Sequence, residues 1–205
     1  MLTKYNNKIN LATLYCGALT ILFMIEYIGF TPAKGALLNR TNIVDTIFWK
    51  KNLKLNWMNF KATPVKRSSL AASSSLSIRI YFINNVDSLK VLTRAAFVPN
   101  SSWTKYKNDS ILLSHEQGHF DIVEIYARIL MSKLQEQHLD KIKLNAQTEN
   151  NKQRIYTLKI KVSNDCVNNQ IAYDKETNHG TSLTQQQKWN INIENRLKKL
   201  ESFCK

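Results

Sequence analysis

The sequence predicts an α+β domain in which a small antiparallel or mixed sheet comes first and long helices follow. Two observations carry that reading. Between residues 76 and 97 apolar side chains alternate with a period of two, and from Asp109 onward they recur at helical spacing. Lys54–Phe60 is a short alternating segment ended by the turn-forming Ala62-Thr63-Pro64. Leu76, Ile78, Ile80 and Phe82 then share one face of a strand, and Asn84-Asn85 turns the chain. Leu89, Val91, Thr93, Ala95 and Phe97 line a second strand, closed by Pro99-Asn100-Ser101-Ser102.

Asp109 has the side chain of an N-cap, and Leu112, Ile122, Val123, Tyr126, Leu130 and Leu134 mark the apolar stripe of a helix running to about Gln137. A second helix, rich in Lys, Gln and Asn, is expected over roughly Asp140–Val162, and a third from Thr184 to Leu200 with Trp189, Ile193 and Leu197 on one face. Between these two, Tyr173 to Gly180 reads as a polar loop.

The chemistry lies in His115-Glu116-Gln117-Gly118-His119. On a helix, residues four apart stand one turn apart on one face, so both imidazoles can reach one metal ion. Zinc accepts imidazole nitrogens and in hydrolases keeps a position open for water, on which the neighbouring Glu116 is the expected general base. The chain has four histidines, and two stand at this spacing, which favours a metal over a pair of core histidines. They fall in the apolar stripe, so the motif is expected to point inward, toward the sheet. Gly118 costs this helix about 1 kcal/mol relative to alanine and makes sense if a backbone or bulky side chain passes close beside it.

A third ligand is needed. His138 lies 19 residues beyond His119, about 28 Å along an unbroken helix, and is excluded. His179, in the polar loop, ranks first; Asp174 or Glu176 beside it comes next, then Glu149. Asp174 could instead orient a ligating imidazole, and Asp121, nearly opposite His115 on the helix, more readily meets a neighbouring loop or an arginine.

Residues 1–29 read separately, as a signal peptide or single membrane anchor, with the domain over 30–205. Lys4 and Lys8 precede an apolar run from Ile9 to Ile25, and Glu26-Tyr27-Ile28-Gly29-Phe30 gives no clean cleavage site. Export to the periplasm or beyond, with possible anchoring through 9–25, is therefore expected. The net charge of +14 is spread over scattered lysines with no nucleic-acid-binding motif, which suits proximity to an anionic membrane better than nucleic acid. Cys166 and Cys204 permit one disulfide in an exported domain, or stand as two free thiols.

Leu113–Ile122 followed by Glu124-Ile125-Tyr126-Ala127-Arg128 resembles the motif helix of a family of small bacterial proteins described as secreted or periplasmic zinc-dependent proteases, the DUF922 group. Leu55–Phe60 resembles that family's opening segment, Ala96-Phe97 with Ser102-Trp103 its approach to the helix, and Tyr173-Asp174 with Thr177, His179 and Gly180 its late signature. The likeness covers essentially residues 50–200. It implies a zincin-like fold and metallopeptidase chemistry. On that reading zinc sits on His115, His119 and His179, Glu116 is the base, and a peptide substrate lies along the exposed edge of the Leu89–Phe97 strand. Tyr173, with Tyr126 behind it, is the candidate second donor to the tetrahedral intermediate. The competing class is a noncatalytic zinc-binding protein of the envelope, interacting or structural, in which protein groups fill every coordination position.

Overall fold

The computed structural model describes residues 45–204; the 9–25 segment and the proposed boundary at residue 29 lie outside them. Nine regular elements follow in order: β1 (Ile47–Phe48), β2 (Ala72–Ser73), β3 (Leu76–Asn84), β4 (Ser88–Phe97), β5 (Trp103–Thr104), α1 (Ser110–Glu136), β6 (Lys141–Lys143), α2 (Thr148–Thr177) and α3 (Leu183–Lys199). The fold is α+β, with a small sheet packed against the helix that bears the motif and two further helices flanking it. Among the described residues no helix is long and apolar enough to cross a membrane.

The alternating strands form as their pattern requires. β3 and β4 make an antiparallel pair in register from Leu76↔Phe97 to Asn84↔Leu89. Leu89, Val91, Thr93, Ala95 and Phe97 of β4 are all buried, the face predicted from the period. On its other side β4 pairs antiparallel with β1 at Ala96 and Phe97, and with β6 at Ser88 to Lys90. The Trp49 and Val91 amides add bonds to the Ala95 and Asp140 carbonyls. β4 is thus the central strand. The expectation of a peptide lying along its exposed edge is corrected, because β1 and β6 take up both ends of that side of β4 and Glu124 accepts the Ala95 amide between them.

α1 lies between the sheet and the other two helices. Phe120 meets Phe97 at 6.1 Å between ring centroids, and Phe97 meets Phe60 at 5.1 Å. The Thr93 hydroxyl donates to the Ala127 carbonyl, and the Ala95 amide to the Glu124 carboxylate. Glu124 is matched by Arg128 at 2.8 Å, whose guanidinium also reaches the Leu197 carbonyl of α3, so the buried charges are paired. Burial pushes the Glu124 carboxyl up against the opposing pull of Arg128. Asp109 caps α1 as expected, accepting the Leu112 amide at 2.9 Å.

Two elements differ from the sequence reading. Lys54–Phe60 holds a single 3-10 turn, Trp57–Asn59, and no strand. Asn56 accepts the Met58 amide and Asn59 accepts the Asn56 amide, so side chains bind the groups a ladder would need. Residues 141–143 form β6, which completes the sheet, and the second helix starts only at Thr148. It then continues past Val162 to Thr177, so Tyr173 and Asp174 lie on its last turns and not in a loop. The helix ends through three left-handed residues, Asn178, His179 and Gly180, with φ of 47°, 52° and 83°.

Candidate metal centre

His115 and His119 face α2 and α3, whereas Phe120 and Ala127 face the sheet; the expectation that the motif points at the sheet is corrected accordingly. The partner is the last stretch of α2. Asp174 Oδ1 lies 3.0 Å from His115 Nε2 and 3.0 Å from His119 Nε2, and the two Nε2 atoms are 3.1 Å apart. Two ligands about 2.0–2.1 Å from one tetrahedral ion stand roughly 3.3 Å apart, so this near-equilateral triangle has the edge length of a coordination face. His115, His119 and Asp174 thus form a cluster geometrically suited to a metal ion.

The outward nitrogens of both rings are set by glutamines. Gln186 donates its amide nitrogen to the Tyr173 hydroxyl at 2.6 Å and to Asn190, which leaves its oxygen facing His115 Nδ1 at 3.1 Å. Gln170 donates to the His119 carbonyl at 3.0 Å, and its oxygen faces His119 Nδ1. An amide oxygen only accepts, so each Nδ1 carries its proton and each Nε2 turns a lone pair into the triangle. Two such lone pairs 3.1 Å apart repel unless a positive charge stands between them, either a metal ion or a proton shared with Asp174. This chemistry fits a metal ion better than a settled pair of core histidines.

The electrostatics point the same way. Burial pushes the His119 imidazole down, yet the hydrogen bond and charge of Asp174, with the charge of Glu116, outweigh it and raise it above its ordinary value. Burial pushes the Asp174 carboxyl up, and the hydrogen bonds from His115 and His119 prevail, holding it well below the usual carboxylate range. A field that favours a proton here also favours a divalent cation.

Glu116, the next residue after His115, points elsewhere. It is buried, lies outside the cluster and accepts a hydrogen bond from Ser74 Oγ at 2.5 Å. The site therefore offers a cation seat with a carboxylate beside it that is not one of the three gathered groups.

Gly118 shows the predicted close approach, and the neighbour is Tyr173. A Cβ on Gly118 would stand 2.2 Å from the tyrosine hydroxyl. The ring stacks on His115 at 4.6 Å and meets His119 edge-on at 4.8 Å, and its hydroxyl donates to the His115 carbonyl at 3.1 Å. Tyr173 is fully buried, and burial raises its phenol well above the ordinary range. Tyr126 sits under the Arg196 guanidinium at 5.4 Å.

His179, ranked first as third ligand, stands at the rim. It is 52% exposed at the side chain, outside the three-residue cluster, with Nδ1 3.4 Å from Asp174 Oδ1. Glu149 is on the first turn of α2, paired with Lys152, and 25 residues before Asp174, about 37 Å along the helix. Glu176 accepts from Trp189 at 2.8 Å. Asp121 binds a loop, accepting from Trp49 Nε1 and Gln117 Nε2, while Gln117 accepts the Leu55 amide. Cys166 and Cys204 are both free: the first is buried in α2 with its thiol pushed up to about 12 by burial, the second exposed.

Sequence reading missed Gln170, Gln186 and Ser74. Gln170 had a signal, since it precedes Tyr173 by three residues and Asp174 by four and shares their face once the helix is extended. Gln186 and Ser74 had none. Comparison with models of protein families, with curated proteins and with solved structures finds no match for the chain. The likeness to the DUF922 group rests on the residues quoted for it, and the metal-binding triad accords with a zincin-like site.

Proposed function

We propose that this domain hydrolyses peptide bonds with a bound zinc ion. The carrying observation is the His115–His119–Asp174 triangle, in which both imidazoles are locked with Nε2 inward while Glu116 stands beside it without joining. Zinc bound there supplies a Lewis acid for the substrate carbonyl and an acidified water. His115 and His119 would hold it through Nε2, with Asp174 Oδ1 or His179 as the third ligand. Glu116 takes a proton from the attacking water and returns it to the departing amine. Tyr173 spends its hydroxyl on the His115 carbonyl, so its part is to position the motif helix, and the donor role anticipated for it is withdrawn. The Lys4, Lys8 and Ile9–Ile25 pattern supports work in or outside the cell envelope.

Purified protein is expected to carry about one zinc per chain, and the His115→Ala, His119→Ala double variant none. Glu116→Gln should keep zinc and the fold while losing at least ~100-fold in cleavage of a peptide library. Zinc retained in the double variant, or full cleavage by Glu116→Gln, overturns the reading. A noncatalytic second reading is favoured by the 3.4 Å contact of His179 with Asp174, which places a fourth protein donor at the rim. It predicts zinc-loaded wild type with four protein ligands by X-ray absorption and no cleavage.

A further inference from the structure

The chain leading out of β2 reaches the motif helix at one buried point. Ser74 follows β2 directly, 1% exposed, and its Oγ donates to Glu116 Oε2 at 2.5 Å; Glu116 is itself 4% exposed. The backbone there is held without the Ser74 side chain. β2 pairs with β5, the Ser75 amide donates to Ser102 Oγ at 2.9 Å, and the Val98 amide donates to the Ser75 carbonyl at 2.9 Å.

A hydroxyl has one proton to donate, and giving it to a carboxylate makes a charge-assisted bond about twice as strong as a neutral one. Glutamate turns about three side-chain torsions, and a base held to within a few tenths of an ångström needs something to stop that rotation. Pinning Oε2 stops it and leaves Oε1 as the free oxygen.

We propose that Ser74 is a positioning residue for hydrolysis, fixing Glu116 by one oxygen so that the other faces the attacking water. This rests on the reading of Glu116 as general base. Ser74 acts through Glu116 and touches no reacting atom.

The test uses the full chain, zinc-loaded, with Ser74→Ala and Ser74→Thr. Both should bind zinc as wild type does. Ser74→Ala should lose about 10-fold in kcat at unchanged KM, the scale of one hydrogen bond to a charged group, and Ser74→Thr, which keeps the hydroxyl, should recover most of it. In the Glu116→Gln background, Ser74→Ala should cost nothing further. Acetohydroxamic acid, which chelates zinc while sharing a proton with a neighbouring carboxylate, gives a readout without turnover: its affinity by calorimetry should fall about 10-fold in Ser74→Ala. Wild-type kcat and hydroxamate affinity in Ser74→Ala, or an equal loss in the Glu116→Gln background, overturns the proposal. Should Ser74→Ala lose its fold, Ser74→Cys, close in size and a weak donor, carries the same expectation. A zinc-loaded wild type that neither cleaves nor binds the hydroxamate removes the hydrolytic reading itself, and Ser74's part with it.

Discussion

Gly118 is where a single hydrogen atom decides the site. It sits mid-helix between the two histidines, a place where glycine costs about 1 kcal/mol, and its missing side chain is the space that the Tyr173 hydroxyl fills. The ring cannot retreat easily, because His115, His119 and Trp189 surround it at 4.6, 4.8 and 5.2 Å. Gly118→Ala is therefore expected to destabilise by about 1–3 kcal/mol despite the gain in helix propensity, with weaker zinc binding as His115 is displaced. Tyr173→Phe in the same chain should recover part of the loss by removing the oxygen that clashes. Urea unfolding and zinc titration check both; a stabilised Gly118→Ala with unchanged zinc affinity would show that the ring yields freely. At this scale the sequence was readable where spacing carried the information. The motif pair and the anomalous glycine were visible, whereas Gln186 and Ser74 were not, because a hydrogen bond across 71 or 42 residues leaves no local pattern.

α2 decides how much of the site could be seen at the level of elements. Placing that helix over 140–162 put Tyr173 and Asp174 in a loop and favoured the loop histidine as third ligand. No glycine or proline lies between Thr148 and Thr177 to end the helix, but few of its residues are buried, so the apolar stripe faded before the helix did. Continuing it carries Gln170, Tyr173 and Asp174 to the histidines on one face. The stop is the left-handed Asn178, and two residues on Gly180 has a φ of 83° that suits glycine and a Cβ position 2.8 Å from His115 Cβ. Gly180→Ala is expected to cost about 2 kcal/mol or more, from strain at positive φ and from pressure on a ligand, and to weaken zinc binding. A shift of the urea midpoint with an undiminished zinc affinity would confine Gly180 to shaping the turn that follows the helix. β3 and β4 were readable for the opposite reason: Leu89, Val91, Thr93, Ala95 and Phe97 of β4 are all buried, and Leu76 and Ile78 of β3 with them, so period two survives, whereas the two- and three-residue strands are too short to show a period.

Over the described residues α1 is held by two unequal interfaces, one to the sheet and one to the other two helices. The sheet meets α1 through a continuous apolar core, with Leu76, Ile78, Val91, Phe97, Phe120 and Ile125 at 4% exposure or less. The other side of α1 is covered by helices that bury little: Ile155, Val162, Cys166, Gln170, Tyr173 and Thr177 from α2, and Gln186 and Ile193 from α3. Several of these are polar and act through the histidine network. A metal ion on His115 and His119 of α1 and Asp174 of α2 would thus be a cross-link where hydrophobic contact is thinnest. Binding to the folded state alone stabilises by about 4 kcal/mol at a thousandfold excess over Kd, worth roughly 10 °C in Tm for a domain of this size. Chelation should lower Tm on that scale in wild type and leave the His115→Ala, His119→Ala double variant unmoved. Amide hydrogen exchange should localise the loss: the second half of α2 and all of α3 become labile on chelation, while the β3–β4 pair and the sheet-facing amides of α1 keep their protection. Uniform loss over sheet and helices would mean that the ion supports the whole domain equally, and no loss at all would mean that the polar network alone docks the two helices.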